Sequence, residues 1–126
     1  MKQKLKLALV GAGERGQYCY APYAKMHGYE IEFGAVPAPH KGRREKFVQD
    51  YHVPAEGVFE TAEQFFARPR MADAVLICTQ DSQHYAYACQ AIDLGYSILL
   101  EKPISPSVRE CLDLQRRAEE KGTQIM

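Results

Sequence analysis

The sequence predicts an α/β domain built on a doubly wound, mainly parallel sheet. Apolar runs of strand length alternate with amphipathic runs of helix length, and the connections between them are short. The run Ala74 to Cys78 (Ala-Val-Leu-Ile-Cys) is apolar without a break, the pattern of a strand covered on both faces. The chain has 126 residues, enough for one core and too few for two ordinary domains. Right-handed crossovers then lay helices on both faces of the sheet.

In chain order, Leu5 to Val10 reads as the first strand. A helix follows from about Glu14 to His27, with Pro22 inside it. Proline has no amide proton and clashes with the carbonyl four residues back, so a kink or break is expected near Ala21. Glu30 to Val36 is the second strand. Arg43 to Tyr51 is a helix with Phe47, Val48 and Tyr51 inward. Val58-Phe59 is at most a very short strand. Thr61-Ala62-Glu63-Gln64 has capping-box spacing for a short helix through Phe66. After the Ala74 strand, Tyr85, Ala88, Cys89 and Ile92 mark one helical face, and Gly95 stops that helix. Ser97 to Leu100 is a further strand. Val108, Cys111, Leu112 and Ala118 form another stripe, in a helix capped by Ser105 with Pro106 at its first position.

Composition narrows the function. Hydrophobic residues at 46% and charged residues at 25% are the proportions of a globular domain and argue against disorder. Sixteen Lys and Arg balance sixteen Asp and Glu, which leaves no basic footprint for nucleic acid. No apolar run approaches the ~20 residues of a membrane helix. Behind the basic start, the stretch Leu7 to Val10 is too short for a signal-peptide core. The cysteines Cys19, Cys78, Cys89 and Cys111 make no C-x-x-C pair and have no zinc spacing. Small buried thiols in a cytoplasmic protein, with no metal site, are the expectation. His27, His40 and His52 have no ligand spacing and are expected at the surface. Tyr18, Tyr20 and Tyr23 are expected to pack, with Tyr18 close enough to the first loop to matter.

In doubly wound sheets, ligands bind beyond the carboxyl ends of the strands. The first strand ends in Gly11-Ala12-Gly13-Glu14-Arg15-Gly16, a full G-x-G-x-x-G that opens a helix. Gly11 permits the tight turn, Gly13 lets the backbone approach a diphosphate, and Gly16 lets the helix pack on the strand. The helix mouth supplies amide protons for the phosphates. The acidic residue that usually follows the second strand and holds a ribose 2′-hydroxyl is missing. Residues 34–44 contain no Asp or Glu, but they include His40, Lys41, Arg43 and Arg44. Losing the carboxylate removes repulsion of a 2′-phosphate, and the cations attract one, so NADP is favoured over NAD. Two alternatives stay open: Arg43 and Arg44 as a solvated helix start, or weak cofactor affinity.

These features, with Cys78-Thr79-Gln80-Asp81-Ser82-Gln83-His84 and Gly95-Tyr96-Ser97-Ile98-Leu99-Leu100-Glu101-Lys102-Pro103, are similar to the N-terminal Rossmann domain of the Gfo/Idh/MocA family. That family takes its name from glucose-fructose oxidoreductase, inositol dehydrogenase and rhizopine catabolism. Glu-Lys-Pro directly after a strand, one helix beyond Thr-x-x-x-x-His, is the most specific part. The resemblance covers essentially the whole chain. It implies a two-domain enzyme that binds NAD(H) or NADP(H) and oxidises or reduces a sugar, cyclitol or related polyol at a secondary alcohol or ketone. By the same resemblance Lys102 is the catalytic lysine, Glu101 lies near the nicotinamide ribose, Thr79 and Asp81 line the cofactor groove, and His84 braces that loop. Pro103 often follows a cis bond in relatives.

The chemistry of the residues agrees for Lys102. Hydride leaves an alcohol carbon only as a proton leaves its oxygen, and a lysine beside the nicotinamide, partly shielded from water, is suited to take it. His84, near a helix N-terminus, reads as a hydrogen-bonded structural histidine. Ala38 occupies the family's acidic position, which puts cofactor identity in doubt. The chain stops at Gln124-Ile125-Met126, where a sixth strand should start. The substrate domain, with the histidine relatives contribute from it, is therefore expected to be absent. A fragment of residues 1–126 should bind nucleotide without turnover, and an open sheet edge invites pairing with an identical chain. Two other functions share these motifs: a non-catalytic nucleotide-sensing regulator, and a glycosidase that uses NAD.

Overall fold

The structure, a computed structural model, describes residues 3–126; of the basic start, Met1 and Lys2 lie outside the described residues. Five parallel strands form one sheet: β1 (Leu5–Val10), β2 (Ile31–Pro37), β3 (Val58–Phe59), β4 (Ala74–Ile77) and β5 (Ser97–Leu100). Their order is β3-β2-β1-β4-β5. The helices are α1 (Ala21–Met26), α2 (Lys41–Tyr51), α3 (Ala62–Phe66), α4 (His84–Asp93) and α5 (Val108–Lys121). The strand pleat sorts apolar side chains into two cores. Ala8, Val10, Val75, Ile77, Ile98 and Leu100 point to the face where α3, α4 and α5 pack through Phe65, Ile92 and Leu114. Leu9, Phe33 and Leu76 point to the other face, against Ala24 of α1 and Phe47 of α2. Both faces are covered, as the unbroken apolar run of β4 requires. The winding direction reverses between β1 and β4, which opens a crevice at their carboxyl ends.

The helix with Pro22 departs from regular geometry as expected, but by widening. Residues Arg15–Tyr20 are π-helical, and the Ala21 amide donates to the carbonyl of Gly16, five residues back. The α-helical part begins at Ala21, with Pro22 in its first turn. There proline's missing amide costs nothing.

Other expectations need correction. Ser107, not Ser105, caps α5, accepting from the Glu110 amide at 3.3 Å, and Pro106 lies outside the helix. Ser105 instead accepts from the Ser107 amide at 3.0 Å and donates to the Glu110 carboxylate, so it braces the cap. The inward face of α5 is Cys111, Leu114 and Ala118, while Val108 is 75% and Leu112 61% exposed. Leu114 outcompetes them because it faces the sheet. Cys19 is exposed, and Cys78, Cys89 and Cys111 are only half-buried. His27 is half-buried, stacked on Tyr23 with ring centroids 4.0 Å apart. The edge of β5 is partly covered: the Ile98 and Leu100 amides donate to the carbonyls of Gln124 and Met126, both at 2.8 Å.

The α4–α5 seam is polar at one end. The Tyr85 hydroxyl, Arg116 and Arg117 all donate to the Asp113 carboxylate, the two arginines at 2.7 Å. These bonds hold its carboxyl well below the usual carboxylate range. A depressed folded-state pKa stabilises the fold above the unfolded value of about 4, and that contribution is lost as pH falls toward the folded value. The stability gap between wild type and Asp113→Asn is therefore expected to be widest at neutral pH and to close in acid. Urea unfolding at stepped pH measures it, and a gap that widens in acid would refute this account.

Candidate functional site

Main-chain hydrogen bonds continue past the carboxyl ends of the strands. The Ala38 amide donates to Phe59, Gly11 to Pro37, Cys78 to Val10 and Glu101 to Ile77, at 2.9–3.1 Å. Four loop starts are thereby held side by side along the crevice. The parallel register, in which β4 pairs with both β1 and β5, is what aligns them.

Each glycine of the first loop has its own constraint. Gly11 has φ +94°, and a Cβ there would lie 2.9 Å from the Cys78 carbonyl oxygen. A Cβ on Gly16 would lie 2.8 Å from both the Gly11 carbonyl oxygen and Leu9 Cδ1. Around Gly13 a Cβ would meet nothing within 4 Å, so the loop is open where a diphosphate would approach. The crevice encloses about 460 Å³, lined by Gly11, Ala12, Gly13, Glu14, Arg15, Ala38, Pro39, His40, Arg43, Cys78, Thr79, Gln80 and Gln83. That volume suits a small-molecule or cofactor site. The Thr79 Oγ1 atom is buried without a hydrogen-bond partner in the wall of this cavity.

The structure brings Gly11, Ala12, Gly13, Glu14, Arg15, Ala38, Arg43 and Thr79 to this one cavity. Gly16 lies beneath it as a packing contact. Asp81, expected in the groove, is exposed and does not line it, because its 3₁₀ turn (Asp81–Gln83) turns it outward. Gln80 and Gln83 line it instead, cross-bonded as a capping box. The Gln-x-x-Gln spacing was the available signal for them.

His84 is fully buried, with Nδ1 2.7 Å from the Pro103 carbonyl oxygen and Nε2 3.1 Å from that of Thr79. It joins the Thr79 loop to the Glu101-Lys102-Pro103 corner, where the Lys102–Pro103 bond is cis. Lys102 itself is exposed, not shielded as the sequence reading expects. Glu101 accepts from the Tyr20 hydroxyl and lies 3.8 Å from Arg15 Nε. The Tyr20 bond, then the Arg15 charge, holds its carboxyl below the usual range, while the shared proton pushes the Tyr20 phenol up. Tyr20 is thus the aromatic tied to the site, whereas Tyr18 is 58% exposed. Burial pushes the Cys78 thiol up to about 12, which leaves it a neutral wall of the crevice.

At the adenosine end, Ala38 is buried where an acid would stand. Nδ1 of His40 accepts from the Arg43 amide at 3.2 Å, capping α2. Arg44 Nη1 donates to the Ala38 carbonyl at 2.7 Å. Arg43 is exposed and faces the cavity.

No helix among the described residues is long and apolar enough to cross a membrane. Among solved structures, the fold is similar to the WlbA dehydrogenase from Chromobacterium violaceum in complex with NADH and UDP-GlcNAcA, with a TM-score of 0.88 and 18% identity. That match covers 99% of this chain and 35% of that one. It is also similar to an oxidoreductase from Thermotoga maritima, at TM-score 0.86 and 24% identity over 98% of this chain and 37% of that one. Among curated proteins, an uncharacterized oxidoreductase, YhhX, of Escherichia coli strain K12 is 33% identical over 51 residues. That is 40% of this chain and 15% of that protein. The chain therefore spans little more than a third of the length of these structural relatives. A family model described as "Oxidoreductase family, NAD-binding Rossmann fold" matches residues 5–126, nearly the whole chain. The crevice, its three glycines and this match together make the chain a member of the Gfo/Idh/MocA oxidoreductase family, carrying its NAD-binding Rossmann fold.

Proposed function

We propose that the chain is the cofactor-binding part of an oxidoreductase that transfers hydride at a secondary alcohol or ketone of a sugar, cyclitol or related polyol. The observation that supports this best is the row of main-chain bonds that aligns the glycine loop with the Glu101-Lys102-Pro103 corner. The WlbA relative, held with NADH and a nucleotide sugar, supports the substrate class. When bound, the nicotinamide supplies the hydride acceptor or donor. Backbone amides from Gly11 to Gly16 take the diphosphate, and open space at Gly13 lets it approach. Glu101 would accept hydrogen bonds from the nicotinamide ribose. Lys102 Nζ, as the neutral amine, would take the proton from the substrate hydroxyl in oxidation and, as the ammonium, return it in reduction. His84 and Pro103 hold the corner against the Thr79 loop. A second domain of the whole protein shapes the substrate pocket.

NADP is the proposed cofactor in preference to NAD. With Ala38 in place of an acid, nothing there repels a 2′-phosphate, and Arg43 and His40 line the same end of the cavity. Calorimetric titration of the chain tests both levels. NADP is expected to bind roughly tenfold tighter than NAD, and Ala38→Asp to reverse that order. Equal or tighter binding of NAD by wild type would overturn the preference. Binding of neither would overturn the cofactor site.

A further inference from the structure

Regular α-helical winding would set Arg15 and Tyr20, five residues apart, about 140° from each other around the axis. They nevertheless reach the same carboxylate. The Tyr20 hydroxyl donates to Glu101 Oε2, and Arg15 Nε lies 3.8 Å from Glu101 Oε1. What reconciles the two is the π-helical stretch Arg15–Tyr20, whose bonds close five residues back and bring residues i and i+5 toward one side. Single π turns inside helices concentrate at functional sites. The segment begins inside the glycine loop, and Glu101 begins the loop after β5, so the clamp ties those two loops together.

We propose that Tyr20 is a positioning residue for the nicotinamide half of the site. It acts through Glu101, with the π-helical turn as the device that places Tyr20 beside Arg15. The proposal rests on the cofactor reading above. The Tyr20 hydroxyl holds Glu101 Oε2 while Arg15 Nε stands 3.8 Å from Oε1, so both partners favour the same orientation of the carboxylate. A carboxylate held in this way accepts hydrogen bonds from a ribose without first paying to be ordered. Arg15 lines the cavity that Ala38, His40 and Arg43 also line, whereas Tyr20 and Glu101 do not, so removing the Tyr20 hydroxyl leaves that cavity's lining intact.

The test separates the two halves of the ligand. Dissociation constants for NADPH and for 2′,5′-ADP, which lacks the nicotinamide ribose, are measured by fluorescence and calorimetry on wild type, Tyr20→Phe, Glu101→Gln and the double variant. Tyr20→Phe keeps the ring and removes the hydroxyl. It is expected to weaken NADPH roughly three- to tenfold and to leave 2′,5′-ADP unchanged. Glu101→Gln is expected to weaken NADPH to a similar degree, and the double variant to be no weaker than Glu101→Gln alone. Unchanged 2′,5′-ADP binding also reports that the variant is folded. Tyr20→Phe binding NADPH as wild type does, weakening both ligands equally, or adding fully to Glu101→Gln would each overturn the role of Tyr20. Those results would leave the cofactor site standing. Wild type binding neither ligand, nor NADH, would overturn both.

Discussion

Lys102→Ala in the full-length protein is expected to lower kcat by roughly 10²–10⁴, the usual contribution of a positioned general acid or base. Dinucleotide affinity should be unchanged. Lys102 is exposed at the carboxyl end of β5, does not line the dinucleotide cavity, and makes no contact on which the fold depends. Its backbone, by contrast, is pinned. The preceding amide donates to Ile77, and His84 holds the following residue's carbonyl. A flexible side chain on a fixed main chain is the arrangement a proton carrier needs, since the direction of approach is set while Nζ stays free to reach the substrate oxygen. Steady-state kinetics with parallel binding titrations check this. Lys102→Arg should not rescue activity, because a guanidinium does not give up its proton. Full activity in Lys102→Ala would remove Lys102 from the chemistry, whereas a wild-type protein that binds dinucleotide without turnover would favour the sensing-regulator alternative.

Gly57→Ala is expected to destabilise the fold by about 3 kcal/mol and to lower the melting temperature by roughly 10 °C. A Cβ built on Gly57 lies 1.9 Å from the Gly34 carbonyl oxygen, 2.9 Å from its carbonyl carbon and 3.0 Å from Ala35 Cα. All three are main-chain atoms of β2, which is paired on both sides, and cannot swing aside. Gly34 is itself the bulge residue. The register passes from Leu7–Phe33 to Ala8–Ala35 and leaves it unpaired, so its carbonyl leans toward the turn Ala55–Gly57. Moving that turn outward would strip the two residues of β3 from Val36 and Pro37, and would release the Ala38 amide from Phe59. Cofactor affinity should therefore fall along with stability. Gly34→Ala is the control, since the atoms nearest its Cβ belong to the Lys6 side chain, which can move, and not to the main chain. Thermal and urea unfolding measure the difference, and a Gly57→Ala protein that melts with wild type would show the contact to be soft.

Much of this was legible in the chain itself. Five strands and the helices between them follow from local periodicity, because burial on two faces of a parallel sheet demands unbroken apolar runs. The capping box at Thr61 and the stop at Gly95 are read locally and occur as read. The glycine loop is legible for the same reason: a tight turn, an open approach and a close packing contact are each a backbone demand that one residue type meets.

Ser105 and Ser107 both suit a cap, and Ser107 takes the position with Glu110 three residues on, a capping-box spacing the Pro106 signal masked. The other misplaced features share one cause. Val108 and Leu112 fit a helical stripe, but the face that turned inward carries Leu114. Tyr20 looked like any packing tyrosine, because its role depends on a π turn that no side-chain period announces. The closeness of Gly57 to Gly34 is invisible along the chain, since they lie 23 positions apart and meet where the turn Ala55–Gly57 reaches the bulge in β2. The sequence by itself determined which elements form, their order, and the backbone loop suited to a diphosphate, since each depends on neighbours a few residues away. Tertiary structure alone decided which helix faces are buried, which tyrosine serves Glu101, and how His84 ties the two loops together. Those choices compare contacts between distant segments, and such contacts exist only once the sheet has set its register.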